Sequence, residues 1–133
     1  MNYALDSNII SFLLKDNDAV YSQYFDTVSQ GHTCVIPLVV YYEVLRGLLA
    51  NDAKKKMNSF EDLCAVLGII DLTVPDMTTA ATIYATHKSS GTLIEDTDIL
   101  IAAQCVTRGY TLVTNNTRHF DRVNGLRLVD WAE

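Results

Sequence analysis

The chain has 133 residues, of which 49% are hydrophobic and 20% are charged, and its formal net charge at pH 7 is −6. This length suits a single domain, and this composition excludes an intrinsically disordered protein. The negative charge argues against a protein that binds nucleic acid nonspecifically, because such proteins carry an excess of Lys and Arg. An enzyme that reaches phosphate through a bound divalent cation is compatible with it.

The cysteines and the distribution of apolar residues indicate a location in the cell. Cys34, Cys64 and Cys105 are widely spaced in apolar segments, without the spacing of a zinc site. We expect them to be small buried residues of a protein in a reducing cytosol. The N-terminal residues lack the basic and apolar regions of a signal peptide, and no apolar segment approaches the roughly 20 residues that span a bilayer. We therefore expect a cytoplasmic protein that does not contact membranes.

Short apolar segments alternate along the chain with segments of helical periodicity. In chain order we predict a strand over 3–5, a helix from residue 9, a helix over 18–30, a strand over 33–37, helices over 39–50 and 57–67, a strand over 69–72, a helix ending near residue 87, a helix over 98–108, and strands over 110–114 and 123–128. Short, nearly all-apolar strands separated by helices are typical of a parallel sheet covered on both faces. We therefore predict an α/β fold, a three-layer α/β/α sandwich with a short central parallel sheet, as a single domain over residues 1–133.

Polar residues mark where several of these helices begin. We expect Ser7 or Asn8 to cap the first helix, and Asp76 or Thr78 to cap the helix that follows the third strand. The three consecutive lysines at 54–56 are expected to form a solvated surface.

Residues 94–103 place three carboxylates directly before an apolar helical segment. Acidic side chains interact favourably with the dipole at a helix N-terminus, which explains part of this cluster. Residues two apart on a helix point about 200° away from each other, so Asp96 and Asp98 cannot both project into one site. We therefore assign Asp96 to the N-cap and Asp98 to a metal site, and we expect Glu95 to face solvent.

Four polar residues are candidates for one functional site. Asp6 and Asn116 follow the first and fourth strands, Asp98 begins a helix, and Glu43 lies in the helix after the second strand. In an open parallel sheet, ligands bind at the carboxyl ends of the strands, so these four side chains could meet in one pocket. Carboxylate and amide oxygens are ligands that Mg²⁺ prefers, and a metal held this way can activate water and neutralise charge on a phosphodiester.

Each of these residues also has a structural explanation. Asp6 could be a helix cap or a turn residue, and Asn116 could be a turn residue. Glu43 could be a surface glutamate that pairs with Arg46. The helix around Glu43 is apolar on most sides, however, and this favours a carboxylate that points inward and has a function.

Four segments resemble the PIN-domain family, in the order and at the intervals of that family. They are LDSN at residues 5–8, EVLRG at 43–47, IEDTDILIAA at 94–103 and LVTNNTRHF at 112–120. The C-terminal GLRLVDW at 125–131 resembles the VapC toxins of bacterial toxin–antitoxin modules. The resemblance covers essentially the whole chain.

This resemblance implies an endoribonuclease toxin that depends on Mg²⁺ or Mn²⁺ and cuts structured RNA such as tRNA. The run Asn-Asn-Thr-Arg at 115–118 resembles members that cleave initiator tRNA in the anticodon loop. The resemblance also implies a homodimer, and a cognate VapB-like antitoxin whose C-terminal segment wraps the toxin and obstructs the acidic pocket.

The family's site residues can be matched to this sequence one by one. Asp6, Glu43 and Asp98 fall on the three acidic catalytic positions, and Asn116 falls on the fourth, which is often Asp. The resemblance makes Asp6 and Asp98 the metal ligands, and an Asn at the fourth position argues against a second tightly held metal. His119 stands where the family frequently has an acidic residue.

Two other interpretations remain open. A catalytically degenerate PIN-like interaction module would be expected to have lost one of the core acids, and all three are present. A phosphatase on a similar sheet would need Asp-x-Asp after the first strand, and Asn8 occupies the second of those positions.

Overall fold

The computed structural model describes residues 1–132, so Glu133, the last residue of the expected domain, lies outside the described residues. In chain order its elements are β1 (Asn2–Leu5), α1 (Ser7–Leu14), α2 (Asp18–Ser29), β2 (Thr33–Pro37), α3 (Leu38–Ala50), α4 (Lys54–Leu67), β3 (Ile69–Ile70), α5 (Val74–Ser89), α6 (Asp96–Arg108), β4 (Thr111–Val113), α7 (Thr117–Phe120) and β5 (Arg127–Val129). The strands form one five-stranded sheet in the order β3-β2-β1-β4-β5.

Every strand pairing in this sheet is parallel, and β1 is the central strand. Ala4 of β1 lies opposite Val35 of β2 on one side and Leu112 of β4 on the other. Helices α1 to α4 pack against one another, whereas α5 packs mainly on α6. The chain crosses the sheet one way from β1 to β3 and the other way from β3 to β5, so right-handed connections place the two helix groups on opposite faces. The predicted α/β/α sandwich is confirmed.

The core is formed by the sheet and by the helix faces that cover it. Its fully buried side chains include Ala4, Leu5, Ile9, Ile10, Ile36, Ile101, Ala102, Leu112 and Val113. Trp131 is also buried, and its ring centroid lies 6.2 Å from that of Tyr3 and 6.4 Å from that of Tyr24. Burial of this large ring fixes the C-terminal segment to the domain. No helix within residues 1–132 has the length and apolar character needed to cross a membrane.

The three cysteines are free, and the structure separates them by burial. Cys34 and Cys105 are buried, as expected, whereas Cys64 is only half-buried. Burial raises the pKa of the Cys34 thiol to about 11 and that of the Cys105 thiol to about 12. Thiols with such pKa values are protonated at neutral pH and behave as small apolar side chains.

Two predicted helix caps were wrong, because a residue earlier in the chain occupies the N-cap position in each helix. Asp6 caps α1 by accepting a hydrogen bond from the Ser7 N–H at 2.8 Å, so Ser7 and Asn8 already lie inside the helix. Thr73 caps α5 in a capping box, in which the Asp76 side chain accepts a hydrogen bond from the Thr73 N–H at 2.8 Å. A capping box satisfies two N–H groups at once, which a cap at Asp76 or Thr78 would not do.

The start of α6 also differs from the prediction. Glu95 occupies the N-cap position and makes no side-chain capping bond to the rest of the described chain. Asp96 is therefore the first residue of the helix, exposed to solvent, and not its N-cap. Glu95 is exposed as predicted. The packing of the apolar segment from Ile99 to Cys105 sets where α6 lies, and the N-cap falls at Glu95 as a consequence.

Helix α4 and strand β5 begin at residues other than those predicted. Helix α4 begins at Lys54, three residues before the predicted start, so the three lysines form its exposed first turn. The last strand starts at Arg127 rather than at residue 123, because a turn precedes it. Gly125 in that turn has φ +83, a left-handed conformation that favours glycine.

A polar network, which we call the α5–α6 clamp, joins these two helices to the end of β3. Asp76 is 1% exposed and accepts hydrogen bonds from the Thr107 hydroxyl and, at 2.8 Å, from Arg108. Arg108 also donates to the backbone oxygen of Asp71 at 2.9 Å. Burial raises the pKa of Asp76, but the hydrogen bonds outweigh it and leave the pKa below its usual value. The clamp fixes the C-terminal end of α6, the helix that carries Asp98 at its other end.

Candidate active site

Asp6 lies at the carboxyl end of the central strand and is 3% exposed. One of its carboxylate oxygens accepts the capping bond from Ser7, and the other accepts a hydrogen bond of 2.8 Å from the Thr114 hydroxyl. Burial raises the pKa of Asp6, the hydrogen bonds from Thr114 and Ser7 lower it, and the negative charge of Asp98 raises it again, so the pKa lies above its usual value. Asp6 is thus both a helix cap and a rigidly oriented member of an acidic cluster.

Asp98 projects from the first turn of α6. Its side chain is 17% exposed, and its Oδ2 lies 3.3 Å from Nδ1 of His119 on α7. Burial raises the pKa of Asp98, the contact with His119 lowers it, and the charge of Glu95 raises it, with a net increase. His119 is therefore a neighbour of the site, at the position where the resemblance led us to note the absence of an acid.

Glu43 lies in the second turn of α3 and is partly buried. Its Oε1 is fully buried and has no hydrogen-bond partner among residues 1–132. Burial raises the pKa of Glu43, and the charges of Asp6 and then Asp98 raise it further, whereas Arg46 lowers it. Within the described chain Glu43 forms no ion pair with Arg46, whose guanidinium lies over the Tyr42 ring at 5.1 Å from its centroid. The alternative of a surface pair with Arg46 is therefore wrong.

Asn116 lies beside Glu43 on the wall of an open groove, together with Ser7 and Asn8. It follows β4 and occupies the N-cap position of the short helix α7. Its backbone N–H donates to the Thr114 hydroxyl at 3.0 Å, while its side chain remains exposed. The charges of Asp6 and Asp98 both act on Glu43, and that of Asp98 also acts on Asp6, so the three acids are neighbours. Asn116 lines the same groove as Glu43.

Sequence reasoning missed two contributions to this site. Thr114 orients Asp6, and the only signal for it was a hydroxyl directly after β4. Glu95 faces solvent as expected, and its charge also raises the pKa of both Glu43 and Asp98. Asp96, in contrast, is exposed at the start of α6 and gives no sign of contact with the cluster.

The cluster has the chemical character of a cation site, although its carboxylate oxygens are not arranged around a single point. Within residues 1–132, no three His, Cys, Asp or Glu side chains are close enough to hold one metal ion as they stand. The buried, unpartnered oxygen of Glu43 and the raised pKa values of Asp6, Glu43 and Asp98 nevertheless indicate uncompensated negative charge. A hard divalent cation with oxygen ligands compensates such a cluster.

Comparisons with known proteins cover nearly the whole chain. The sequence model of the PIN domain matches residues 3–126. The "tRNA(fMet)-specific endonuclease VapC" of Shigella flexneri is 27% identical over 132 residues, with 99% of each chain covered. "Ribonuclease VapC1" of Methanocaldococcus jannaschii is 30% identical over 98 residues, which are 71% of this chain and 69% of that protein. Among solved structures, VapBC2 from Rickettsia felis bound to a DNA fragment from its promoter has a TM-score of 0.90 at 26% identity and covers 98% of this chain and 99% of its own.

Proposed function

Since the chain belongs to the PIN-domain family, as a ribonuclease of the VapC type from toxin–antitoxin modules, we propose that it is a metal-dependent endoribonuclease. Its proposed reaction is the cleavage of phosphodiester bonds in structured RNA. The observation that carries the metal dependence is the buried, unpartnered oxygen of Glu43 beside two further acids. The desolvation and mutual repulsion of these carboxylates need a positive charge to offset them. Substrate phosphate is itself negative, so a cation has to stand between it and the acids.

In this proposal Asp6 and Asp98 hold Mg²⁺, or Mn²⁺ in its place. Such an ion activates a water molecule and neutralises charge that develops on the phosphodiester. Asp6 is suited to this role because two hydrogen bonds fix its carboxylate without using all of its lone pairs. Asp98 is suited because a buried helix presents it rigidly.

Glu43 and Asn116 complete the proposed catalytic set. A carboxylate with a raised pKa accepts a proton more readily, so Glu43 can take one at its free Oε1. Asn116 presents a neutral amide at the groove, which can donate to a phosphate oxygen or a ribose hydroxyl of RNA.

The substrate and the partners are also proposals. A relative that is 27% identical along 99% of both chains is named as specific for tRNA(fMet), so we propose the anticodon loop of initiator tRNA as the first substrate to test. We further propose a homodimer that works in the cytoplasm and is inhibited by a VapB-like antitoxin whose C-terminal segment covers the acidic pocket. A structural relative with 26% identity is a VapBC complex, which supports the antitoxin.

The two alternative functions have no observation in their favour. A degenerate module would not need to keep Asp6 and Asp98 so near Glu43 that their charges raise its pKa. A phosphatase would need a second Asp at residue 8, where the Asn8 side chain instead accepts a hydrogen bond of 3.1 Å from the Asn115 N–H.

The test is cleavage of total tRNA, and of initiator tRNA alone, by protein free of antitoxin in Mg²⁺, Mn²⁺ or EDTA, with the product ends mapped. Discrete cuts in either metal and none in EDTA are expected. Asp98→Asn and Glu43→Gln should abolish the cuts, whereas Asp96→Asn, the same change in the same turn at an exposed position, should keep them. An unsubstituted protein that cuts no RNA, or an active Asp98→Asn, would show that the proposal is wrong.

A further inference from the structure

A groove of about 620 Å³ leads away from the acidic cluster between α1 and α3. One wall consists of Ser7, Ser11 and Lys15 from α1 and the residue after it, and the other of Glu43, Gly47 and Asn51 from α3 and its C-cap. Both sets recur every four residues, which is the spacing of one helix face. The first and last residues of each set are eight positions apart, so the groove runs for about 12 Å along the helices.

The charge of this groove changes sign along its length. Glu43 and Asn116 line it at the acidic end, and Lys15 and Lys56 line it at the other end. Neither lysine forms an ion pair in the described part of the chain, so both ammonium groups are available to a ligand. Lysine side chains at this end oppose the repulsion that a chain of net charge −6 exerts on a polyanion.

Gly47 gives a second, independent sign that something occupies the groove. It lies inside α3, where glycine lowers helix stability relative to alanine. A Cβ at this position would meet no atom of residues 1–132 within 4 Å, so packing inside the protein does not require glycine there. A side chain at residue 47 would instead extend into the groove, whose wall Gly47 forms.

We propose that this groove seats the RNA strand next to the phosphodiester that is cut, with Lys15 and Lys56 bound to its backbone phosphates and Gly47 giving the strand close access to the helix. The inference rests on the proposed ribonuclease function and adds the path of the substrate. A groove lined by Ser11, Asn8 and lysine suits a hydrated, phosphate-bearing strand. The neighbouring groove shares Lys15 and Lys56 with this one, but Leu13, Leu63, Tyr21 and Tyr24 also line it, and such apolar and aromatic side chains favour a protein segment.

The first test compares the double variant Lys15→Gln/Lys56→Gln with Lys54→Gln/Lys88→Gln, which loses the same charge outside the groove. With an initiator tRNA anticodon stem-loop as the probe, the first variant should have a KM raised at least about tenfold with kcat within about twofold, and the control should match the unsubstituted protein. The slope of log K against log salt should fall by about 1.4 in magnitude, because each contact to a single-strand phosphate contributes about 0.7.

The second test is Gly47→Leu. Because residue 47 faces open space, its unfolding temperature should not fall, yet its KM for the same stem-loop should rise as the side chain enters the groove. A variant that folds normally and keeps its KM would contradict the proposed path.

These outcomes separate the path of the strand from the ribonuclease function. If the unsubstituted protein cuts RNA and the groove variants cut it with unchanged KM and salt dependence, the groove proposal is wrong and the function stands. If the groove variants keep their KM for RNA but lose binding to an acidic antitoxin peptide, the groove belongs to a protein partner and the proposal is again overturned. If the unsubstituted protein cuts no RNA, neither total tRNA nor the stem-loop, the proposed function fails first.

Discussion

Replacing Glu43 by Gln should stabilise the metal-free protein while it abolishes cleavage. The Glu43 carboxylate has a buried oxygen without a partner in residues 1–132 and lies in the field of Asp6 and Asp98. Glutamine keeps one oxygen at this place, replaces the other by an NH2 group and removes the charge. Relief of the burial of this charge and of its repulsion by Asp6 and Asp98 should raise the free energy of unfolding by about 1 kcal/mol.

The expected gain in stability corresponds to a rise in Tm that depends on pH. With an unfolding entropy of about 2.1 cal/mol/K per residue, 1 kcal/mol in a chain of 133 residues corresponds to about 3–4 °C in Tm. The folded-state pKa of Glu43 lies above its ordinary value of 4.5, so the folded state binds the proton more tightly than the unfolded state. The charge penalty is therefore present above the folded pKa and disappears as the pH falls through it to below 4.5. The advantage of Gln should shrink accordingly.

The assay is thermal unfolding in EDTA across this pH range, with Glu61→Gln, an exposed glutamate of α4, as the matched control. The control should leave Tm unchanged. Adding Mg²⁺ at 100 times its Kd should stabilise the unsubstituted protein by about 2.7 kcal/mol, and should stabilise Glu43→Gln less because less negative charge remains to be offset. A Tm of Glu43→Gln in EDTA at pH 7 below that of the unsubstituted protein would refute the reasoning, since it would mean that the carboxylate makes a stabilising contact.

Three further substitutions test other parts of the fold. Arg108→Met leaves the buried Asp76 without its cation and should lower the free energy of unfolding by roughly 3 kcal/mol in chemical denaturation. Thr114→Val removes the hydroxyl that donates to Asp6 and should cost about 1–3 kcal/mol, with a loss of kcat in the cleavage assay. Gly47→Ala should raise the free energy of unfolding by about 0.5–1 kcal/mol, because it restores helix propensity at a position where the methyl group meets nothing.

Controls for these changes come from exposed residues of the same types. Arg122→Met and Thr82→Val should each stay within about 0.5 kcal/mol of the unsubstituted protein. An Arg108→Met variant as stable as Arg122→Met would mean that Asp76 is satisfied by its hydroxyl and backbone donors alone. A Thr114→Val variant with full kcat would remove Thr114 from the site, and a destabilised Gly47→Ala would contradict the open space beside α3.

The sheet and the convergence of the acids were predictable because they follow from local patterns. Short apolar segments between helical segments predict strands, and parallel strands bring their carboxyl ends to one edge of the sheet. Asp6 lies directly after β1 and Asp98 in the first turn of α6, as these patterns predicted, whereas their role as metal ligands stays a prediction.

The helix caps and the hydrogen bonds around the site were not predictable in this way. Asp96 was assigned to the N-cap from the local pattern of acidic residues. The packing of the apolar face of α6 instead determines where the helix begins, and Glu95 occupies the N-cap. The hydrogen bond from Thr114 to Asp6 joins residues 108 positions apart, so no local sequence pattern predicts it. Asp76 was predicted as a cap from its neighbours, but its second role, as the partner of Arg108, depends on a helix 32 residues away.

The central position of β1 has a consequence for the newly made protein. Asp6 is synthesised before β4, beside which its strand lies, and the hydroxyl that orients it arrives 108 residues later. At roughly 5–20 residues per second, ribosomes need about 5–20 s to cover that interval. During this time the nascent chain lacks the strand and the side chain that complete the acidic cluster. We therefore expect the acidic cluster to stay incomplete in the nascent chain until β4 and Thr114 have emerged from the ribosome.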